Sequence, residues 1–455
     1  MNPRIALALC LIFIIVALVI DHQRRRDLTG GYLIVWLWVM IVLSRFVSQW
    51  VKFGQGVGAE EGASYEGNAL DRIVFIGLIG LAAITVVTRR RIVWSQLASE
   101  YRWLFGYFLY CGFSILWSDF PLSSFKVWIK DLGGFVMALV IMSENNPFEA
   151  LQSMMRRCTL VLVPLSVAFV KYFPELGRYY NRRTGQVYYH GVSVGKNGLG
   201  ALCLICGFFL FAEILRWFRN EDPGVRREDK LLTIALACMI GWLMMMADSM
   251  TSVATLMVGM LLMVAMGFPS LRRAVKAPVG IGFWVVVFAL VVWLVGGFEI
   301  ALNMLGRDVT FTGRTEIWEK VLSVKVNPII GVGYESFWLG EILKMFGHHY
   351  SPPNQSHNGY IEIYVNLGII GLVFVAGIFV SFARKAIRSM GPSLYSGTVQ
   401  LSFFLIFWIY NMTEYGFRPL NSMWLVFLML GILCSETLDI QIVPDNKPSL
   451  QERAR

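Results

Sequence analysis

The chain alternates between long apolar blocks and short polar breaks. Ile5–Ile20, Ile281–Val295 and Leu401–Tyr410 are nearly uninterrupted runs of large hydrophobic residues. About 20 helical residues, at about 1.5 Å rise each, cross a bilayer's hydrocarbon, where backbone groups must satisfy one another. Each block therefore predicts a helix. The spans fall near 4–20, 32–50, 71–88, 103–118, 130–143, 157–172, 198–215, 231–247, 251–267, 279–296, 358–382, 398–415 and 421–437. The expected fold is an all-α polytopic membrane protein, 1–455 forming one transmembrane domain of about 12–13 helices. The first block is followed by no small-residue cleavage site, so it reads as a span and not as a signal sequence. Asp248–Ser252 is too short to be more than a tight turn between two spans.

Basic loops set the orientation. Those holding Arg24–Arg26, Arg89–Arg91, Arg156–Arg157, Arg216–Lys230, Arg272–Lys276 and Arg384–Arg388 fall between alternate spans and share one face, the cytoplasmic one. The N-terminus is then external. The external face carries Ser118–Lys130, Phe173–Lys196 and one long loop, 297–357. Loops of that length are usually functional or disordered. After Gly313, the order Arg314-Thr315-Glu316-Ile317-Trp318, with Val321 and Leu322, lays an apolar stripe along a short amphipathic helix, which Asn327-Pro328 ends. A second helix is predicted over Glu335–Phe346, and Pro352-Pro353 blocks helix before the next span. The loop is expected to lie on the membrane surface as a cap.

Composition agrees with this picture. The chain is 56% hydrophobic and 15% charged, with mean hydropathy +0.59, far from the balance of a soluble domain. The net charge of +10 is scattered through short loops, so no nucleic-acid partner is implied. All seven cysteines lie in apolar blocks, which disfavours disulfides, and the Cys203/Cys206 pair lies inside a span without polar partners.

Candidate chemistry gathers on the external face. Lys126, Lys130, Lys171, Arg178, Arg182, Arg183, Lys196, Arg307, Arg314, Lys320, Lys325, Lys344 and Arg418 remain there against the orientation rule. An anionic ligand is the functional reading, because the guanidinium fork gives two parallel hydrogen bonds to a phosphate. Headgroup contact or plain solvation is the alternative for each. Four of five histidines, His190, His348, His349 and His357, are also external. His357 opens a span, where the helix N-terminus disfavours imidazolium and suits a general base; a capping or interfacial role is the alternative. A metal site would draw on His348, His349, His357 and Glu362, but their spacing fits no standard zinc pattern. No metal and no cofactor is expected.

Thr312-Gly313-Arg314-Thr315-Glu316-Ile317-Trp318, then Asn327-Pro328, Gly331-Val332-Gly333-Tyr334, Ser356-His357-Asn358-Gly359-Tyr360-Ile361-Glu362 and Gly368-Ile369-Ile370-Gly371 closely resemble the motifs of the O-antigen ligase and polymerase superfamily. Arg183-Thr184-Gly185 followed by Gly195-Lys196-Asn197-Gly198-Leu199-Gly200 is similar to the second family motif, and Trp117-Ser118 with Pro121 and Ser124, and Ser249–Ser252, match more weakly. The resemblance covers about 110 to 437. It implies an inverting, metal-independent glycosyltransferase of the C type in the bacterial inner membrane, its active site facing the periplasm. The donor would be a polyprenyl-diphosphate-linked glycan, and the acceptor a saccharide or lipid A core. By position, Arg183 and Arg314 would hold the diphosphate and His357 would serve the acceptor hydroxyl. Arg182, Lys196, Asn197, Asn358, Glu362, Arg418 and Lys126 are the candidate substrate contacts, Glu362 as a partner of His357 or a structural cap. Lys196-Asn197 looks more like exopolysaccharide polymerases, whereas His348-His349 and Pro352-Pro353 depart from a typical ligase.

Two other functions compete. A flippase or transporter of lipid-linked oligosaccharide would share the basic outward cavity, but predicts midplane ionisable residues and repeat symmetry, neither of which stands out. A structural partner in polysaccharide export leaves the Arg/His constellation without a purpose.

Overall fold

A computed structural model describes residues 2–24, 29–51, 68–89, 92–180, 185–219, 221, 224–276, 314–339 and 354–433. The protein is an all-α polytopic membrane protein. Its helices are α1 (Pro3–Arg24), α2 (Gly30–Leu43), α3 (Val47–Val51), α4 (Ala69–Arg89), α5 (Trp94–Glu100), α6 (Arg102–Ser114), α7 (Pro121–Met142), α8 (Pro147–Tyr172), α9 (Pro174–Gly177), α10 (Gly195–Phe218), α11 (Arg227–Ala247), α12 (Met250–Ala265), α13 (Pro269–Lys276), α14 (Arg314–Ser323), α15 (Gly359–Ser389), α16 (Leu394–Thr413) and α17 (Ser422–Ile432). Among the described residues, six helices are long and apolar enough to cross a membrane, or seven if α12 and α13, bent by 109°, count as one span. Twelve of the predicted spans overlap described helices; 279–296 lies outside the described residues.

Local sequence sets the helix ends. Prolines start α7 and α8, where the missing N–H is not needed. Thr29, Asn358, Ser393 and Asn421 cap α2, α15, α16 and α17 through their side chains. Asp248 adopts a left-handed conformation and turns α11 into α12. The predicted span 32–50 is broken: α2 stops at Leu43 and α3 starts at Val47, with Arg45 buried in the gap. The guanidinium is held in the break. It donates to the carbonyls of Gly191 (2.8 Å) and Ser193 (3.3 Å) and meets His190 Nδ1 at 2.8 Å, contacts that a continuous apolar helix does not offer.

The helices pack in two groups. α2, α4 and α7 form one, and α10, α11, α12 and α16 the other; α8 joins them, packed on α1, α2 and α7 and on α10 and α11, while α17 lies on α7, and α15 on α6 and α16. Phe407, Phe417, Trp424 and Phe427 stack between them, the Phe407 and Phe427 rings 4.3 Å apart. At one end of the bundle, Asp21, Arg156, Arg157, Glu213 and Asp229 make a buried ionic cluster. Arg156 and Arg157, expected in a short loop between spans, lie instead inside α8, which starts at Pro147, and they are held there by the acids of α1, α10 and α11.

One departure from all-helix is a hairpin at the other end. Arg178–Tyr180 pairs antiparallel with Val187–Tyr189, and Tyr179 stacks on Tyr188 at 5.1 Å. Aromatic and β-branched residues opposite one another favour this pairing. It is too short for the alternation of a strand to show in the sequence.

Helix α15 is interrupted at Gly368 (φ +65°, ψ −164°). There the segment 328–333 docks along the break: Val332 N donates to Val365 O, Gly333 N to Asn366 O and Ile369 N to Pro328 O. A Cβ at Gly368 would lie 2.2 Å from Ile329 O. α14 forms where the amphipathic helix is predicted, and buries Val321 against Phe337, Trp338 and Val365. Of the second predicted loop helix, 335–346, only a 3₁₀ turn at Phe337–Leu339 falls on described residues; 340–346 lies outside them.

Candidate functional site

At the hairpin end of the bundle a cavity of ≈ 440 Å³ opens between the helices. Arg45, Lys130, Lys196, Glu335, Glu414 and Arg418 supply its charged wall, and His357, Tyr410 and Tyr415 stand among its polar lining. These residues are brought in by the α2–α3 break, α7, α10, the 331–339 segment, the approach to α15 and the α16–α17 turn.

Glu414 organises one side. It follows the last residue of α16, where its amide still donates to Tyr410 O. Its Oε1 accepts from Arg314 Nη2 at 2.7 Å and Asn197 Nδ2 at 3.0 Å, and its Oε2 lies 3.2 Å from His357 Nδ1. Three distant segments, opening α14, α10 and α15, thus meet on one carboxylate. Arg314 also donates to Thr413 O. A carboxylate can only accept, so it places the proton on Nδ1 and leaves Nε2 as the acceptor nitrogen. Gln355, 3.4 Å from the same nitrogen, is a longer contact.

The motif around His357 is locked from below. Asn358 Oδ1 caps Tyr360 N and Ile361 N, while its Nδ2 donates to Met412 O. His357 therefore precedes the helix cap and has φ +53°. Gly359 fits closely: a Cβ there would lie 2.2 Å from Asn411 Oδ1. Trp318 Nε1 donates to Ser356 O at 2.7 Å, which ties α14 to the histidine. Glu362 is fully buried, accepting from Trp338 Nε1 (2.9 and 3.0 Å) and from Ser356 N. It supports the backbone under His357; the carboxylate at the ring itself is Glu414.

The other candidates divide by position. Lys196 and Arg418 line the cavity, Lys196 lying 5.1 Å over the Tyr188 ring and 4.0 Å from Asp248. Lys126 is one helical turn from Lys130, and it is Lys130 that lines the cavity. Arg314 stands behind Glu414. Arg182 and Arg183 lie outside the described residues, as do His348 and His349. His190 is buried beside Arg45, and burial with that neighbouring positive charge pushes it down to about 4.

Backbone strain marks the same place. Among the described residues, the non-glycine residues with positive φ are Asp248, Glu335, His357 and Leu420. Glu335, His357 and Leu420 line the cavity, and Asp248 contacts Lys196. Such conformations cost about 1–3 kcal/mol each and gather at functional sites.

Two comparisons with known proteins bear on the family. Residues 234–376 match the family model described as O-antigen ligase. The chain is 26% identical over 323 residues to "Exopolysaccharide production protein ExoQ" of Rhizobium meliloti (strain 1021), covering 68% of this chain and 70% of the relative. Together these support an O-antigen ligase/polymerase-like family, and with it a function of the O-antigen ligase or polysaccharide polymerase type.

Proposed function

We propose that the protein is an inner-membrane glycosyltransferase that moves a glycan from a polyprenyl-diphosphate carrier to a saccharide acceptor, with inversion and without a metal. The observation that carries this reading is the meeting of His357, Arg314 and Asn197 on Glu414 at the wall of a cation-lined cavity. In the reaction the acceptor hydroxyl attacks C1 of the donor sugar and its proton passes to His357 Nε2. The C1–O bond breaks, and its electron pair leaves on the diphosphate. Fixed cations in a site poor in water stabilise that charge where it develops. Lys130, Lys196 and Arg418 line the cavity; the family resemblance adds Arg183 and Arg314 as a diphosphate-binding pair, Arg314 from its place behind Glu414. Glu414 acts as a positioning residue by holding the imidazole in one tautomer.

The cavity lies at the end of the bundle away from the Asp21–Arg156 cluster. With basic loops cytoplasmic, this end faces the periplasm, and Glu335, Asn354, Gln355 and His357 bring the described part of the long loop to the cavity wall. The exopolysaccharide relative and the Lys196-Asn197 pair favour a polymerase over a ligase. The test is transfer by purified protein from undecaprenyl-diphosphate-linked oligosaccharide, with and without EDTA. Elongated saccharide in both conditions is expected. Donor translocation across vesicles without glycosidic bond formation would overturn the enzyme reading, and loss of transfer in EDTA restored by added metal would overturn metal independence.

A further inference from the structure

The cavity wall carries a second carboxylate, which the reaction above leaves unused. Glu335 is 4% exposed, lines the cavity and accepts from the Tyr415 hydroxyl, Tyr415 being a lining residue too. Its backbone is left-handed (φ +52°) without being glycine. That conformation is imposed from both sides. Gly333 N donates to Asn366 O, and Tyr334 N to Ser114 Oγ at 3.1 Å; the Tyr334 hydroxyl reaches Asp131 Oδ2 at 2.6 Å. After it, Ser336 N and Phe337 N both donate to Asn366 Oδ1, at 3.0 and 3.1 Å. Seen with the break at Gly368, this stretch of chain is over-determined, and it holds a charged side chain at the wall at a cost in strain.

The charge decides what the residue faces. A carboxylate repels a diphosphate, so its place is beside the neutral part of the substrate. Sugar hydroxyls are donors that a carboxylate accepts, and a phenol beside it can donate or accept in turn. Tyr179, on the hairpin, adds an aromatic ring to the same cavity.

We propose that Glu335 and Tyr415 form a saccharide-recognition subsite, a specificity element separate from the Glu414–His357 centre; this rests on the glycosyltransferase reading. Glu335 orders sugar hydroxyls, and Tyr415 fixes the carboxylate's orientation.

The test uses the full chain in detergent with Glu335→Gln and Glu335→Gly. Three probes are titrated: undecaprenyl diphosphate, the same lipid carrying the host oligosaccharide, and that oligosaccharide freed by mild acid. Both variants should bind the sugar-free lipid as the unmodified protein does, and lose at least tenfold in affinity for a saccharide-bearing probe. Loss confined to the lipid-linked probe assigns the subsite to the donor sugar; loss confined to the free oligosaccharide assigns it to the acceptor. The glycine variant, relieved of strain, should unfold at the same or a higher temperature. Unchanged saccharide affinities, or an equal loss for the sugar-free lipid, would overturn the subsite, as would a glycine variant that is merely less stable. If the unmodified protein transfers no glycan, the enzyme reading falls; if it transfers and both variants match it, only the subsite falls.

Discussion

Removing the Glu414 carboxylate should damage stability and turnover by separable amounts. Glu414→Ala strands the Arg314 guanidinium and the Asn197 amide, and frees the His357 ring. Arg314 is 15% exposed and Glu414 7%, so the pair is close to buried. Breaking a buried pair from one side costs about 3–5 kcal/mol. Arg314 keeps its bond to Thr413 O, which places the loss near the lower end, about 3 kcal/mol. Glu414→Gln keeps the shape and an acceptor for Arg314, but replaces charge-assisted bonds by neutral ones, a difference of about 1–2 kcal/mol. Thermal unfolding in detergent, followed by tryptophan fluorescence, should rank native, Gln and Ala in that order. Single-turnover transfer should fall more than tenfold in the Gln variant, with donor affinity retained, because the ring loses its fixed tautomer. A Gln variant of native turnover, or an Ala variant as stable as the native chain, would refute the network.

Three further outcomes follow from the geometry. Arg314→Lys keeps the charge but cannot reach both Glu414 Oε1 and Thr413 O, so transfer should fall at least tenfold with the fold retained; native turnover would show that the fork is not needed. Gly368→Ala puts a Cβ 2.2 Å from Ile329 O at φ +65°, and should destabilise by at least about 1–3 kcal/mol, read as a lowered unfolding temperature. His190, held down to about 4 by burial and Arg45, stays neutral in the folded protein while the unfolded chain takes up its proton below about 6.5. Its contribution is therefore complete above pH 6.5 and is lost as pH falls towards 4, by up to about 3 kcal/mol; His190→Gln should flatten that part of the stability profile, and an unchanged profile would contradict the assignment.

Much of this was legible in the sequence because hydrophobic blocks at membrane length admit only helix. The helix at Arg314–Ser323, its stop before Asn327-Pro328 and the turn at Asp248 follow from local pattern. The break at Arg45 did not, since one arginine near the end of an apolar block looks like an interfacial anchor until its carbonyl partners are known. The glycines of Gly331-Val332-Gly333 and Gly368 gain their meaning from a contact between segments about 35 residues apart, which no periodicity reports. Lys196, His357 and Arg418 could be named as ionisable residues on one face, and Asn197 through the family motif alone. Glu414 was overlooked, although an acid at the end of an apolar run is a functional signal in itself. Glu335 gave no local sign, because its strain comes wholly from the chain packed around it.

The most direct test of the central claim is single-turnover glycan transfer by His357→Gln, with donor binding measured on the same sample. Glutamine can still donate a hydrogen bond to Glu414, so a purely structural histidine predicts near-native transfer. If His357 takes the acceptor's proton, the variant should fold and bind the lipid-linked donor normally, yet lose about 10²–10⁴-fold in turnover. Transfer within a few fold of the native rate would contradict the account.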